Sequence, residues 1–169
     1  MKAKPLSSVS ALRKLFEYSP RLGVLIWKWR KDKKLNWNRR FAGKVAGRKN
    51  GSAGSTVTID GKIFQVHRIV YKMLHGKEPP IVDHKNRNRA DNRPRNLRAA
   101  NKRLNAVNSK DRDRKLPRGV FRCPSSKINP YRAQIKNRHL GMFPTVKDAS
   151  VAFKKASKQS YGEFSCRTL

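Results

Sequence analysis

The chain has 169 residues, and its 42 Lys and Arg face only 10 Asp and Glu, a formal net charge of +32. Self-repulsion of that size opposes folding, which makes an inert basic surface a poor account of the composition. A polyanion is the natural counter-charge, and counterion release makes binding to nucleic acid fall steeply as salt rises.

The length admits one domain or two small ones, with a thin and divided core. The longest apolar run, Val24-Leu25-Ile26-Trp27, is too short for a membrane span. The N-terminal stretch MKAKPLSSVS lacks the apolar segment expected of a signal peptide. Cys123 and Cys166 form no CxxC pair, which argues against a cysteine-built zinc site and fits a reducing cytosol.

In chain order, Val9, Leu12, Leu15 and Phe16 have helical spacing, predicting a helix over 9–18 capped by Ser8 or Ser10. SPRLG turns the chain and VLIWKW reads as a strand; Trp27 and Trp29 alternate with basic residues, so one face is core. Residues 30–50 are basic, and Trp37 there fits either core or DNA packing. TVTIDGKIFQVHR predicts a hairpin about Asp60-Gly61. HRIVYKMLHG predicts a helix stopped by Gly76, with His67 a structural residue at its start and His75 solvated near its C-terminus.

IVDH then reads as a strand entering the polar loop KNRNRADNRPRN, and LRAANKRLNAVN as a helix. The charged segment 111–117 reads as a linker. Beyond it GVFRC, PYRAQIK and RHLGMF predict three strands, and VKDASVAFKKASKQSYG an amphipathic helix with a Thr145/Asp148 capping box.

Asp83 and His84 are adjacent at the end of a strand, in a chain with few acids. Alone, the pair reads equally as a turn with a capping Asp. Asn96 and Asn105 lie downstream, and a strand, loop and helix can bring such side chains to one point. One carboxylate and one amide oxygen make a sparse hard-oxygen donor set, which suits Mg²⁺ with several retained waters. Asn101 and Asn108 are alternatives to Asn105, separated from it by spacing alone.

VDHKNRNRADNRPRNLRAANKRLNAVN resembles the ββα-metal motif of HNH endonucleases, in the branch that holds phage homing and nicking enzymes. The twelve positions from His84 to Asn96 and nine from Asn96 to Asn105 fit that motif. LFEYSPRLGVLIWKW, TVTIDGKIFQVHR and MLHGKEPP are similar to the upstream part, so the likeness covers about residues 12–108. The resemblance implies that Asp83 and Asn105 bind one divalent metal, Mg²⁺ with Mn²⁺ as a substitute. It makes His84 the general base and Asn96 the residue that holds the loop and orients His84. Asn105 stands where the family name implies histidine, so metal affinity should be weak and zinc disfavoured. The implied products are a 5′-phosphate and a 3′-hydroxyl, with a strand-specific nick among the outcomes.

RGVFRCPSSKINPYRAQIKNRHLGMFPTVKDASVAFKKASKQSYGEFS resembles the plant APETALA/ethylene-response-factor DNA-binding domain through RGV, YRAQI, HLGMF and YGEF. That family lays a three-stranded antiparallel sheet, backed by a helix, in the major groove. The likeness implies that Val120, Ala133, Ile135, Leu140 and Phe143 face the helix. Arg118, Arg122, Arg132, Gln134, Lys136, Arg138 and His139 become the candidate DNA contacts, since Arg and Gln suit guanine and adenine edges. Phe121, Cys123 and Ser125 replace residues of the plant contact set, so the plant target sequence is not implied. A phosphate clamp without sequence preference is the alternative.

The expectation is an α+β chain with an HNH domain over 1–110, its ββα-metal core at about 66–108, and a DNA-binding domain over 118–169. It would be a monomer without an obligate protein partner, acting on double-stranded DNA in the cytoplasm (the host's, if phage-encoded). A non-cleaving DNA-binding regulator and a ribosomal-type RNA-binding protein are the rival readings.

Overall fold

The computed structural model describes residues 5–49, 54–109 and 115–165. The fold is α+β, built from small antiparallel sheets. It divides into two compact units, residues 1–101 and 102–169. The boundary falls upstream of the stretch read as a linker, of which 111–114 lie outside the described residues.

In the first unit, helix α1 (Val9–Leu15) starts at Ser8, whose hydroxyl accepts from the Ala11 amide. The predicted helix over 9–18 ends early, because Phe16–Ser19 is strand β1, paired with β2 (Val24–Trp27). Burying Phe16 against Trp27 outweighs the continuing helical periodicity, their ring centroids lying 4.5 Å apart.

Helix α2 (Leu35–Phe41) has no clear signal in the sequence LNWNRRF. Tertiary contacts explain it. Trp37 meets Trp27 edge-on at 5.3 Å and Phe41 at 5.0 Å, which places Trp37 in the core. Buried Asn38 closes the preceding turn, accepting from the Arg30 amide and donating to the Arg30 carbonyl, each at 2.8 Å. Trp27 is buried while Trp29 is exposed, so the core face expected of their alternation holds for Trp27 alone, Trp29 lying beyond the end of β2.

Strand β3 (Val45–Ala46) extends the first sheet, and β4 (Arg48–Lys49) pairs with β5 (Ser55–Ile59). Strands β5 and β6 (Lys62–Gln65) form the predicted hairpin, with Asp60 and Gly61 both at positive φ as a primed turn requires. Helix α3 (Val66–His75) buries Val66, Ile69, Val70 and Met73 and ends at left-handed Gly76. Strands β7 (Ile81–His84) and β8 (Leu97–Ala100) form a two-stranded ladder that faces this core through Val82 and Leu97.

The predicted helix over 97–108 is therefore wrong in its first third. Leu97–Ala100 is a strand, and helix α4 spans only Lys102–Asn108. Ladder pairing with β7 overrides the helical preference of Leu, Arg and Ala.

Helix α4 belongs to the second unit. Strands β9 (Val120–Arg122), β10 (Tyr131–Ile135) and β11 (Arg138–Phe143) form a sheet of order β11-β10-β9, packed against helix α5 (Val146–Tyr161). Val120, Ala133 and Ala149 form its small core, with Leu140 and Phe143 against it. Thr145 caps α5, accepting from the Asp148 amide at 3.1 Å and donating to its carboxylate at 2.7 Å.

Gly119, at φ +73, lies so close to Phe153 that a β-carbon would come within 2.1 Å of the ring and 2.8 Å of the Gln134 carbonyl oxygen. Gly119→Ala should therefore destabilise the protein by at least about 2 kcal/mol, combining overpacking with left-handed strain. Chemical denaturation checks this, with a cost under half a kilocalorie refuting the packing argument.

Candidate functional site

Strand β7 delivers Asp83 and His84 into the first unit, both almost wholly buried. Asp83 is opposite Arg98 of β8. Arg98 Nε donates to Asp83 Oδ2 at 2.8 Å, and Nη2 lies 2.7 Å from the same oxygen. Arg98 is itself 8 % exposed, so both charges of this pair are out of bulk water. Such a pair tolerates little disturbance, because removing one partner strands the other.

The polar loop after β7 is shaped by its own side chains. Asn96 Oδ1 accepts from the Asn86 amide at 2.9 Å, and Asn96 Nδ2 donates to the Asp91 carbonyl at 2.6 Å. Asn86 Nδ2 donates to Asp91 Oδ2, and Arg93 Nε to Asp91 Oδ1, at 2.9 and 2.7 Å. These bonds, chiefly that of the Arg93 guanidinium, hold the Asp91 carboxyl below the usual carboxylate range. Pro94–Asn96 is a short 3-10 turn within the segment read as irregular.

His84 Nε2 lies 3.0 Å from Asn92 Oδ1. Asn92 is 3 % exposed and was missed in the sequence, where it is one Asn among several in a polar run. Its backbone is fixed from the first sheet. Tyr18 Oη donates to the Asn92 carbonyl at 2.8 Å, and a β-carbon on Gly23 would come within 2.8 Å of the Arg93 nitrogen. Burial, with the Asp91 charge, pushes the Tyr18 hydroxyl up to about 12, so it remains a donor. The β1–β2 hairpin thus presses on the loop that holds the histidine.

His67, on the first turn of α3, meets His84 edge-on with ring centroids 5.1 Å apart. Burial pushes His67 down to about 3, and the neighbouring His84, Arg68 and Arg89 charges add to the effect. His84 is also lowered, by burial first, against the opposing influence of Asn92 and Asp83. Both rings are therefore neutral at physiological pH.

Asn105 is exposed on α4 and belongs to the second unit, whereas Asp83, His84 and Asn96 belong to the first. Asn108 is buried and Asn101 exposed. Among the described residues no three His, Cys, Asp or Glu side chains gather into a metal-holding group.

In the second unit, Arg132, Gln134 and Lys136 alternate with buried Ala133 and Ile135. Arg132 lies over the Phe121 ring at 5.4 Å, and its buried Nε has no hydrogen-bond partner among the described residues. Gln134 Nε2 donates to the Lys136 carbonyl at 2.9 Å, and Lys136 Nζ sits 5.1 Å over the Tyr161 ring. Arg122, Arg138 and His139 are exposed. Arg118 instead donates to the end of α4, at 2.8 Å to the Val107 carbonyl.

Residues 64–107 match the model of the HNH endonuclease family, a span running from β6 through α4. A search of curated proteins and a search of solved structures give no match. Among the described residues no helix is long and apolar enough to cross a membrane.

Arg98→Ala should destabilise the protein by about 3–5 kcal/mol, since it leaves the Asp83 carboxylate buried without its cation. Equilibrium denaturation at neutral pH measures this, and a loss below about 1 kcal/mol would show that the pair is not isolated from solvent. His67 supplies a second expectation. Its folded pKa of about 3 lies below the ordinary 6.5, so the native state favours the neutral ring. That stability is fully present above pH 6.5 and is lost as pH falls from there toward 3. The melting temperature should drop across that window, and His67→Gln should flatten the drop.

Proposed function

We propose that this protein is a metal-dependent endonuclease that hydrolyses phosphodiester bonds in double-stranded DNA. The observation that carries the reading is His84, buried beside Asp83 and bonded to Asn92, within a segment matching the HNH endonuclease family. An amide oxygen on Nε2 selects the tautomer protonated there, which leaves the proton-accepting lone pair on Nδ1. His84 then takes the proton of the attacking water as general base. Asn92 fixes the ring, while Asn96 holds the loop that carries Asn92.

The Asp83 carboxylate and the Asn105 amide oxygen are the donors proposed for a divalent cation. Their chemistry fits Mg²⁺, with Mn²⁺ as a substitute, since both are hard-oxygen donors and too few to displace its waters. Such an ion, when bound, neutralises charge on the scissile phosphate and the leaving 3′ oxygen. The products are then a 5′-phosphate and a 3′-hydroxyl. One centre per chain favours a nick in one strand, and phage homing enzymes are the branch the motif resembles.

In the second unit Arg122, Arg132, Gln134, Lys136, Arg138 and His139 are proposed as DNA contacts. The alternation of Arg132, Gln134 and Lys136 with buried Ala133 and Ile135 supports this. Base edges would be read by Arg132 and Gln134, and phosphates by the others.

One observation favours a non-cleaving regulator. Arg98 engages the Asp83 carboxylate, and a committed ion pair competes with metal binding. Incubating supercoiled plasmid with the protein, with and without Mg²⁺, separates the readings. Metal-dependent conversion to nicked circles is expected, and binding without conversion would overturn the nuclease. His84→Ala should lower the cleavage rate by about 10²–10⁴-fold, with DNA affinity within about twofold because the ring activates water without gripping DNA. The burial-lowered pKa of His84 places the acid limb of the rate profile below pH 6.5, since only the neutral ring accepts a proton. A limb at or above that pH would assign the base to another group.

A further inference from the structure

We infer that Arg118 is a positioning residue for helix α4, so that the second unit orders the helix carrying the proposed metal ligand Asn105. The inference deepens the nuclease reading and, in its consequence for metal, rests on it.

A seven-residue helix is too short to be stable by itself, and α4 has no basic residue in its last turn to meet its free carbonyls. Arg118 supplies that cation from ten residues beyond the helix end. Its Nη1 donates to the carbonyls of Val107 at 2.8 Å and Ala106 at 3.4 Å. Its Nη2 donates to the Ser109 carbonyl and hydroxyl, each at 3.2 Å. Ser109 Oγ returns to the Ala106 carbonyl at 2.7 Å, closing the cluster. A guanidinium fork serves several acceptors at once and carries positive charge to the negative end of the helix dipole. A lysine ammonium cannot span them all.

The clamp has a rigid base. Next in sequence, Gly119 accepts from the Gln134 amide at 2.8 Å and abuts Phe153, so Arg118 is anchored on the β9–β10 sheet and α5. The 3-10 turn Gly162–Phe164 also packs on α4. The family match ends at residue 107, yet what caps its last helix comes from residue 118. By this inference the last helix of the family match depends on a residue beyond that match.

The test uses the full chain and its R118A and R118K variants, with three readouts. Hydrogen exchange followed by mass spectrometry should show R118A exchanging at least tenfold faster in a peptide covering 102–109, with 131–135 unchanged. The Mg²⁺ concentration giving half-maximal plasmid nicking should rise at least fivefold, while the rate at saturating Mg²⁺ stays within twofold. R118K should recover only part of both effects. Unchanged exchange in 102–109 would overturn the inference. So would loss of protection at 131–135 in both variants, which would make Arg118 a part of the sheet's general stability. An unchanged Mg²⁺ requirement, with a DNA-binding salt slope shallower by about one, would instead make Arg118 a phosphate contact. If the wild-type chain cuts nothing, the nuclease reading fails separately, and exchange alone still decides whether Arg118 orders α4.

Discussion

Two opposite charges, Asp83 and Arg98, face each other across the β7–β8 ladder with little access to water. Much of the site follows from that constraint. Burial makes the pair costly to disturb, so the register of the ladder is fixed where Asp83 and Arg98 meet. In that register His84 is opposite Leu97, and the loop that begins after His84 must return to Leu97. The loop cannot borrow an apolar core, having only Ala90 and Pro94 as apolar residues between Lys85 and Asn96. It is held by amides and one carboxylate, with Asn86, Asp91 and Asn96 as mutual partners. Asn92 then arrives at His84 as a product of loop geometry.

The parts legible in the sequence are those whose signal is local. Asp60-Gly61 needs only its own φ preferences to specify a hairpin. Gly76 stops α3 for a comparable reason, and Thr145 with Asp148 starts α5. The segments misread are those decided by distant partners. Phe16 leaves a helical pattern to stack on Trp27, and Leu97–Ala100 leaves one to pair with β7. Helix α2 exists because Trp37 and Phe41 have an aromatic neighbour to pack against. Neither the partner nor its distance is written in the seven residues of α2.

The site was legible in the same uneven way. Asp83 and His84 stand out because an acid beside a histidine is rare in so basic a chain. Asn92 and Asn96 are chemically identical in the sequence, four positions apart in one polar run. Only the folded loop separates them, turning one amide to the histidine and the other to the loop backbone. His67 is similar: its ring meets His84 because α3 packs beside β7, a contact that no spacing rule announces.

The acids also explain how so positive a chain folds while keeping its charge for a partner. Of its 10 carboxylates, Asp32 and Asp60 meet Arg30, Glu78 meets Arg68 and Lys72, Asp91 meets Arg93, and Asp83 meets Arg98. Asp148 caps a helix. Several of the basic partners are themselves buried or nearly so, Arg30, Arg68 and Arg98 among them. The carboxylates are thus concentrated where a cation must be tolerated inside the fold or where a loop must be tied. Few are left to neutralise the exposed lysines and arginines. Net charge and fold are therefore assigned to different residues. A polyanion can discharge the surface without competing for the carboxylates that hold β7, its loop and α3 in place.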